Sequence, residues 1–169
     1  MKQKVLKSLM LIAVLLTSNA VWAYTFEVDG IYYNIISSED LTAEIVPGHS
    51  KYTGNLVLPE KVTYNGKTYS VTSIGYETFY YCTGLTSIII PNSVTSIHGC
   101  AFWGCSSLSS IKIPDGITSI GDLTFEGCCS LPIENNVRYA DKWAVGVDDK
   151  SLSQYTLRDD TKGLVNTFL

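Results

Sequence analysis

Residues 85–107, LTSIIIPNSVTSIHGCAFWGCSS, are followed directly by residues 108–130, LSSIKIPDGITSIGDLTFEGCCS. The two stretches align without a gap, so this part of the chain repeats every 23 residues, and Leu131 begins another copy. A fixed period in the twenties is typical of solenoids, in which each coil buries its apolar face against the next coil. Solenoids usually present binding surfaces, which favours a protein that binds another molecule over one that transforms it.

Each repeat can be divided into short extended segments. Leu85, Ile88 and Ile90 alternate with polar residues, which predicts a strand with these side chains directed inward. Pro91 ends that strand because proline lacks the N–H group that a strand ladder needs. Residues 94–97 form a second extended segment. Equivalent inward residues are expected to stack about 4.8 Å apart in a core ladder of Phe79, Phe102, Phe125, Cys82, Cys105 and Cys128.

An enlarged repeat precedes these two. It begins at Leu56 and contains a nine-residue insertion around Asn65-Gly66, a strong signal for a β-hairpin. Upstream, residues 25–33 are predicted to form another hairpin around Asp29-Gly30, and residues 42–46 a strand. We therefore predict an N-terminal β cap at residues 24–55 and repeats at residues 56–131.

Residues 132–169 are predicted to form a degenerate or truncated repeat, with strands at residues 137–139, 143–147 and 154–157. Leu157 and Leu164 are separated by seven residues, the same step as Ile90 and Ile97. The end of a solenoid needs a polar cap to hide its edge, and none is evident in this sequence. Three interpretations remain open: the chain is a fragment of a longer array, its end pairs with a partner, or a hairpin at residues 141–151 is itself the cap.

Residues 1–23 have the pattern of a secretory signal peptide. Three lysines precede an apolar run from Leu9 to Leu16, and Val21-Trp22-Ala23 predicts cleavage before Tyr24. We expect export to the periplasm, the cell surface or the medium, with no membrane insertion after cleavage. Residues 1–23 contain three lysines and no acid, so their removal changes the formal charge from −4 to −7. That charge argues against nucleic-acid binding, which needs clustered basic residues.

The repeats resemble the BspA-like leucine-rich repeats of bacterial surface and secreted proteins. The family pattern is Leu-x-x-Ile-x-Ile-Pro, then Val-Thr-x-Ile-Gly, then Ala-Phe-x-x-Cys, and it is matched at residues 85–105 and 108–128. Departures include His98 in place of glycine, and Thr78 and Thr124 in place of alanine. The resemblance implies a β-rich leucine-rich-repeat solenoid with an N-terminal β-hairpin cap. It implies a role in adhesion or protein recognition, without catalytic residues.

Two groups of outward-facing residues are candidates for contact with a partner. On the strand face, Asn55, Ser87, Ser110 and Gln154 are expected to form one row, and Val57, Ile89, Lys112 and Thr156 the next. An exposed apolar spot such as Ile89 can mark a contact surface, although a single exposed isoleucine needs no explanation. After the phenylalanine ladder, Tyr80, Tyr81 and Trp103 are directed outward. They could anchor a protein or a sugar ring, or simply cover the neighbouring coil.

The cysteines and histidines do not form a recognisable reactive site. The cysteines number five, so at least one thiol is unpaired, and those of the core ladder are most simply small buried apolar groups. Cys100 and Cys129 lie off the ladder and are predicted to be exposed. His98, Cys100 and Cys105 have loose zinc-like spacing, but no second paired motif accompanies them. We therefore predict no metal, no cofactor and no catalysis.

These observations predict a secreted or cell-surface recognition module that binds an extracellular protein in the manner of an adhesin. A second hypothesis is a glycan-binding module that uses Tyr80, Tyr81 and Trp103. A third is a structural spacer within a longer array. Changes at Ile89 or Lys112 should weaken a protein binder, Trp103→Ala should weaken a glycan binder, and a spacer should bind nothing in isolation.

Overall fold

The computed structural model describes residues 24–165. This part of the chain contains β-strands and turns but no helix, so the strand-rich fold predicted from the repeats is confirmed. The predicted signal peptide, residues 1–23, lies outside the described residues. The strands are β1 (Phe26–Val28), β2 (Ile31–Ser37), β3 (Thr42–Val46), β4 (Gly54–Val57), β5 (Lys61–Tyr64), β6 (Lys67–Ile74), β7 (Leu85–Ile89), β8 (Ser96–Ile97), β9 (Ser110–Lys112), β10 (Ser119–Ile120), β11 (Ile133–Glu134), β12 (Val137–Ala140), β13 (Trp143–Val147) and β14 (Gly163–Leu164).

Consecutive repeats stack so that equivalent strands pair in parallel. Strands β4, β7 and β9 form a three-stranded parallel sheet in which Leu56 pairs with Ile88 and Ile88 with Ile111. Strands β6, β8 and β10 pair in the same way on another side of the coil. Because side chains alternate along a strand, every second residue of each strand is directed into the core, and paired residues on adjacent strands share the same face. Ile88 and Ile97 are accordingly only 1% exposed.

A turn with its own ladder of backbone hydrogen bonds completes each coil. Phe79 N donates to Ala101 O at 2.7 Å, and Phe102 N donates to Thr124 O at 2.9 Å. These bonds hold the phenylalanine rings in a parallel stack, with centroids 5.0 Å apart for Phe79–Phe102 and 5.4 Å for Phe102–Phe125. The three rings are at most 3% exposed and form the centre of the hydrophobic core.

The N-terminal segment extends one of the parallel sheets with antiparallel strands. Strands β1 and β2 form the hairpin expected around Asp29-Gly30, β2 pairs with β3, and β3 joins β6 in parallel. Strands β5 and β6 form the hairpin expected around Asn65-Gly66. Asn65 and Gly66 have φ angles of 48° and 74°, the left-handed conformation that a tight hairpin turn requires. Phe26 stacks on Tyr33 and Tyr64, which fixes both hairpins to one apolar cluster.

The C-terminal segment departs from the repeat and from part of the prediction. Strands β12 and β13 lie where strands were expected, between β11 and β14 in a four-stranded sheet. The predicted strand at residues 154–157 is wrong: this segment is irregular. The parallel neighbour of β13 is instead β14, which the sequence did not indicate. Gln154 and Thr156 therefore lie in no sheet and do not extend the rows of the strand face.

Candidate binding surfaces

The outer side of β4, β7 and β9 forms the strand face, defined by two parallel rows of side chains. Asn55, Ser87 and Ser110 pair across the sheet in one row, and the Asn55 side-chain oxygen accepts hydrogen bonds from Ser87 at 2.7 Å and from Thr86 at 2.9 Å. The second row runs from Val57 to Ile89 to Lys112. The strand face therefore combines an internally hydrogen-bonded polar row with an exposed row that begins apolar and ends in a cation.

The exposed row contains two adjacent apolar side chains. Val57 is 66% exposed and Ile89 is 48% exposed, and they are direct partners on adjacent strands. A β-branched pair of this kind stabilises a sheet, but exposure of both members leaves their outer surfaces in water. Lys112 lies 3.2 Å from Asp141, so its charge is balanced at the C-terminal end of the row. The same Asp141 carboxylate accepts the backbone N–H of Ile113 at 2.9 Å.

Tyr80, Tyr81 and Trp103 form the aromatic ridge, at the turn that follows the phenylalanine stack. Tyr80 meets Tyr81 edge to face at a centroid distance of 4.7 Å, and Trp103 at 6.1 Å. Lys51 donates a hydrogen bond to the carbonyl oxygen of Tyr80, and its ammonium group lies 5.7 Å from the Tyr80 ring centroid. Tyr81 is 51% exposed, whereas Tyr80 and Trp103 are half-buried. The ridge thus both covers the coils beneath it and presents an aromatic surface to solvent.

The ladder cysteines are buried. Cys82, Cys105 and Cys128 are at most 1% exposed, and the thiol of Cys105 donates to Phe79 O at 3.0 Å. The thiol of Cys128 likewise donates to Phe102 O at 3.1 Å. Burial raises the pKa of the Cys82 thiol to about 11, so at neutral pH it is protonated and a poor nucleophile.

The two remaining cysteines have different environments. Cys129 is exposed, as predicted, but the prediction that Cys100 is exposed is wrong, since it is only 6% exposed. Cys100 adopts a left-handed backbone conformation with φ of 56°, and its thiol interacts with the Tyr76 side chain. The equivalent residues Glu77 and Leu123 share this conformation, with φ angles of 55° and 56°. Since the three residues are of different types and none is glycine, the residue type at this position does not predict the conformation.

The histidines lie apart from one another and from the ladder thiols in sequence and structure. His49 packs edge to face against Tyr24 and Tyr32, and the Nε2 atom of His98 lies 3.4 Å from a Glu44 carboxylate oxygen. Within residues 24–165, no group of three or more His, Cys, Asp or Glu side chains could hold a metal ion. No helix long and apolar enough to cross a membrane occurs in the same range.

A cavity of about 520 Å³ at the C-terminal end was not anticipated from the sequence. It is lined in part by Leu152, Leu157 and Leu164, which are 40%, 38% and 52% exposed. Leu157 and Leu164 therefore do not occupy inward ladder positions, despite their seven-residue separation. Their apolar character was visible in the sequence, but the exchange of a strand at residues 154–157 for β14 was not.

Residues 55–160 match the model of the BspA-type leucine-rich repeat region, in six copies. A solved leucine-rich repeat protein from Bacteroides ovatus is 38% identical, with a TM-score of 0.59 over 65% of this chain and 29% of that one. This chain therefore covers less than a third of that protein. None of the curated proteins matches the chain significantly.

Two further solved structures share the fold. A leucine-rich repeat protein from Bacteroides capillosus has a TM-score of 0.56 and 24% identity, and the match covers 85% of this chain and 98% of that one. A leucine-rich cell surface protein from Faecalibacterium prausnitzii also has a TM-score of 0.56, with 20% identity over 83% of this chain and 42% of that one. At these identities the similarity concerns the architecture alone.

Proposed function

The chain belongs to the BspA-type leucine-rich repeat family, and from this membership we propose that it is an exported recognition module that binds an extracellular protein through the strand face. The observation that carries the proposal is the paired exposure of Val57 and Ile89, at 66% and 48%, on adjacent strands of a parallel sheet. Adjacent apolar side chains on ordered strands lose little conformational entropy when a partner covers them.

The second support is the arrangement of polar groups around the apolar pair. Thr86 and Ser87 donate to Asn55, so these side chains already satisfy one another and form a polar border. Lys112 remains 64% exposed at the other end of the row despite its contact with Asp141. An apolar centre with a polar rim is the usual anatomy of a protein-binding surface. The proposal assigns no catalytic residue, metal or cofactor to the protein.

Export is part of the same proposal. Three lysines, the apolar run from Leu9 to Leu16 and the small residues before Tyr24 support cleavage of a signal peptide. The cell-surface protein from F. prausnitzii shares the fold of this chain, and this shared fold supports a surface location for the chain. On export, the strand face would meet proteins outside the cell.

The test is binding of the purified protein to an immobilised panel of extracellular-matrix proteins. We expect saturable binding to a member of the panel and a loss of at least about tenfold in affinity for Ile89→Asp, equivalent to about 1.4 kcal/mol. Ile36→Asp is the matched control, because Ile36 is 55% exposed on β2, in a different sheet. Equal binding by the parent and Ile89→Asp would exclude the strand face, and no binding by the folded parent would favour a spacer.

A further inference from the structure

One position in the turn that follows the phenylalanine stack adopts the left-handed conformation in all three coils. It is occupied by Gly104 with φ of 72° and by Gly127 with φ of 75°, but by Tyr81 with φ of 53°. Glycine reaches this region without steric cost, whereas a bulky side chain is strained there. Tyr81 is also 51% exposed, so burial of its ring does not compensate for the strain. Glu77, Cys100 and Leu123 share this conformation at another position of the coils, but only the Tyr81 position carries glycine in the other two coils, so the fold itself does not require a tyrosine there.

The Tyr81 ring is supported from below. A Cβ atom at Gly104 would lie 3.1–3.2 Å from the Cγ, Cδ1 and Cδ2 atoms of the ring, so the ring lies directly over this glycine. Tyr80 contacts the ring edge to face, and the Lys51 ammonium group in turn binds the Tyr80 carbonyl. Tyr81 is thus held flat against the backbone, with its other side available to solvent.

The surface continues from Tyr81 across the next coils. Next to the Tyr81 ring, Gly104 and Gly127 form a floor of exposed backbone without side chains. A Cβ at Gly127 would lie only 3.2 Å from the Cα of Gly104. Beside this floor, Glu126 occupies the position equivalent to Tyr80 and Trp103, and it is exposed. Glu126 and Gly127 also line a cavity of about 200 Å³ with polar walls. A flat aromatic ring, a bare backbone floor and a carboxylate therefore follow one another along the turns.

We propose that Tyr81, Trp103 and Glu126 form a binding strip for a neutral polysaccharide. A sugar ring presents a face of C–H groups that stacks on the exposed side of Tyr81, and hydroxyl groups of a neighbouring sugar donate hydrogen bonds to the Glu126 carboxylate. The strip is open and ends in polar groups, which suits an extended chain of hydroxylated rings better than an apolar peptide. The exposed Glu126 carboxylate disfavours an acidic polysaccharide, and of the two cations that line the same cavity, Arg138 is already paired with Asp148 at 3.1 Å, which leaves Lys150. This site is separate from the strand face and does not depend on the protein-binding proposal.

The experiment is native electrophoresis of the full protein through gels that contain hydroxyethylcellulose, galactomannan or yeast mannan. We expect at least one of these polysaccharides to retard the parent, and Tyr81→Gly to abolish the retardation. Because Tyr81→Gly restores the residue that the other two coils carry, its melting temperature should stay within about 3 °C of the parent. Tyr76→Ala is the control, since Tyr76 is 57% exposed but lies outside the strip.

The outcomes separate the two proposals. Retention of polysaccharide binding by Tyr81→Gly, or the absence of retardation by all three polysaccharides, overturns the strip. The strip is also overturned if the parent binds no polysaccharide and Tyr81→Gly loses binding to a protein, because the aromatic ridge would then recognise a protein. If Tyr81→Gly does not fold, Glu126→Gln on an exposed side chain is the deciding variant, with at least a threefold loss of retardation expected. If Ile89→Asp binds a protein ligand as tightly as the parent does, the strand-face proposal fails, but the results for the strip are unaffected.

Discussion

At the scale of single residues, the centre of the molecule is the stack of Phe79, Phe102 and Phe125. The planes of adjacent rings differ by 10° and 1° and their centroids lie 5.0 and 5.4 Å apart, so the rings form a parallel stack in which each ring is offset from the next. Phe102 is in the middle and is fully buried between two rings, whereas the Phe79 ring also meets Tyr52 edge to face at 5.0 Å. Loss of the middle ring removes two aromatic contacts at once.

We expect Phe102→Ala to lower the free energy of unfolding by about 3–5 kcal/mol, because the stacked neighbours cannot close the cavity it leaves. Urea denaturation followed by circular dichroism measures this change. Phe102→Leu fills much of the same volume and is the control, with a smaller loss. A parent-like urea midpoint for Phe102→Ala would mean that the ring contributes little to the core.

Prediction from sequence was effective for residues whose positions follow from the repeat and failed for those whose positions depend on contacts particular to one coil. The inward positions of Ile88 and Ile97 follow from period and alternation alone. Cys100 is buried although its equivalents Glu77 and Leu123 are only partly buried, and its contact with the Tyr76 side chain is not visible in the repeat pattern. Thr78 stands in place of the family alanine, and its hydroxyl lies within donating distance of Gly75 O at 2.7 Å and of Ile45 O at 3.0 Å. The second contact could not be predicted from the sequence, because it depends on β3 lying beside this turn.

At the scale of strands and turns, the register between coils depends on close backbone contact. A Cβ atom at Gly121 would lie 2.4 Å from Gly99 N and 2.8 Å from the His98 carbonyl carbon, both of which belong to the preceding coil's backbone. Gly121 N also donates to Ile97 O at 2.8 Å, which joins the same two coils. A side chain here must therefore push the coils apart, since backbone atoms cannot rotate away.

Gly121→Ala is accordingly expected to destabilise the protein by more than about 2 kcal/mol, as overpacking against fixed atoms does. Gly116→Ala is the matched control, because the nearest atom to its Cβ would be Asn92 O at 3.8 Å. Thermal melts of the two variants and the parent provide the comparison. Similar melting temperatures for both variants would show that the coils can separate at Gly121 without cost.

The same scale explains why part of the C-terminal prediction failed. Residues 154–157 alternate in polarity, but a strand also needs an available edge, and β14 occupies the edge of β13. Tyr155 instead packs against the small cluster of Val137, Tyr139 and Ala144. Alternation identifies segments that are able to form strands, and the competition between two such segments for one edge is decided by three-dimensional packing. The rows of the strand face could be predicted over β4, β7 and β9 because equivalent residues of successive repeats pair there in register.

At the scale of the whole molecule, the C-terminal sheet is attached to the last coil by charged contacts. The Asp141 carboxylate accepts a hydrogen bond from Ile113 N and forms an ion pair with Lys112. The Asp115 carboxylate lies within 4.0 Å of the ammonium groups of Lys142 and Lys162. The Arg158 guanidinium lies 4.0 Å from the Tyr139 ring centroid within the C-terminal segment. The core of the coils, in contrast, is apolar and contains ionisable groups that are held neutral.

Those neutral groups predict alkaline instability. Burial raises the pKa of Cys82 from 9.0 to about 11 and that of Tyr33 from 10.0 to about 12. Both groups are neutral when protonated, so the unfolded chain ionises at a lower pH than the folded protein. Their contribution to stability is complete below pH 9, declines from pH 9 to 11 for Cys82 and declines from pH 10 to 12 for Tyr33. Urea midpoints between pH 7 and 11 should therefore begin to fall above about pH 9.

Cys82→Ala separates the two groups. It removes one thiol whose pKa is raised, while the pKa of Cys128 is also raised, by its hydrogen bond with Cys105 and by burial, so the fall between pH 9 and 11 should become shallower and the fall due to Tyr33 above pH 10 should remain. An equally steep fall between pH 9 and 11 in this variant would assign the alkaline transition to groups other than Cys82. Cys129→Ala is the control, because Cys129 is exposed.

The hydrogen bonds between coils also determine how the molecule responds to force. Ile90 N donates to Lys112 O, Thr95 N to Thr72 O, and Phe79 N to Ala101 O, so each side of the coil is joined to its neighbour along the stacking direction. Tension along that direction opens one interface after another, and the molecule extends stepwise at low load. Tension across it loads all the bonds of an interface together in shear and meets a higher resistance. A ligand that spans several coils would therefore act as a mechanical brace, since it joins interfaces that otherwise yield separately.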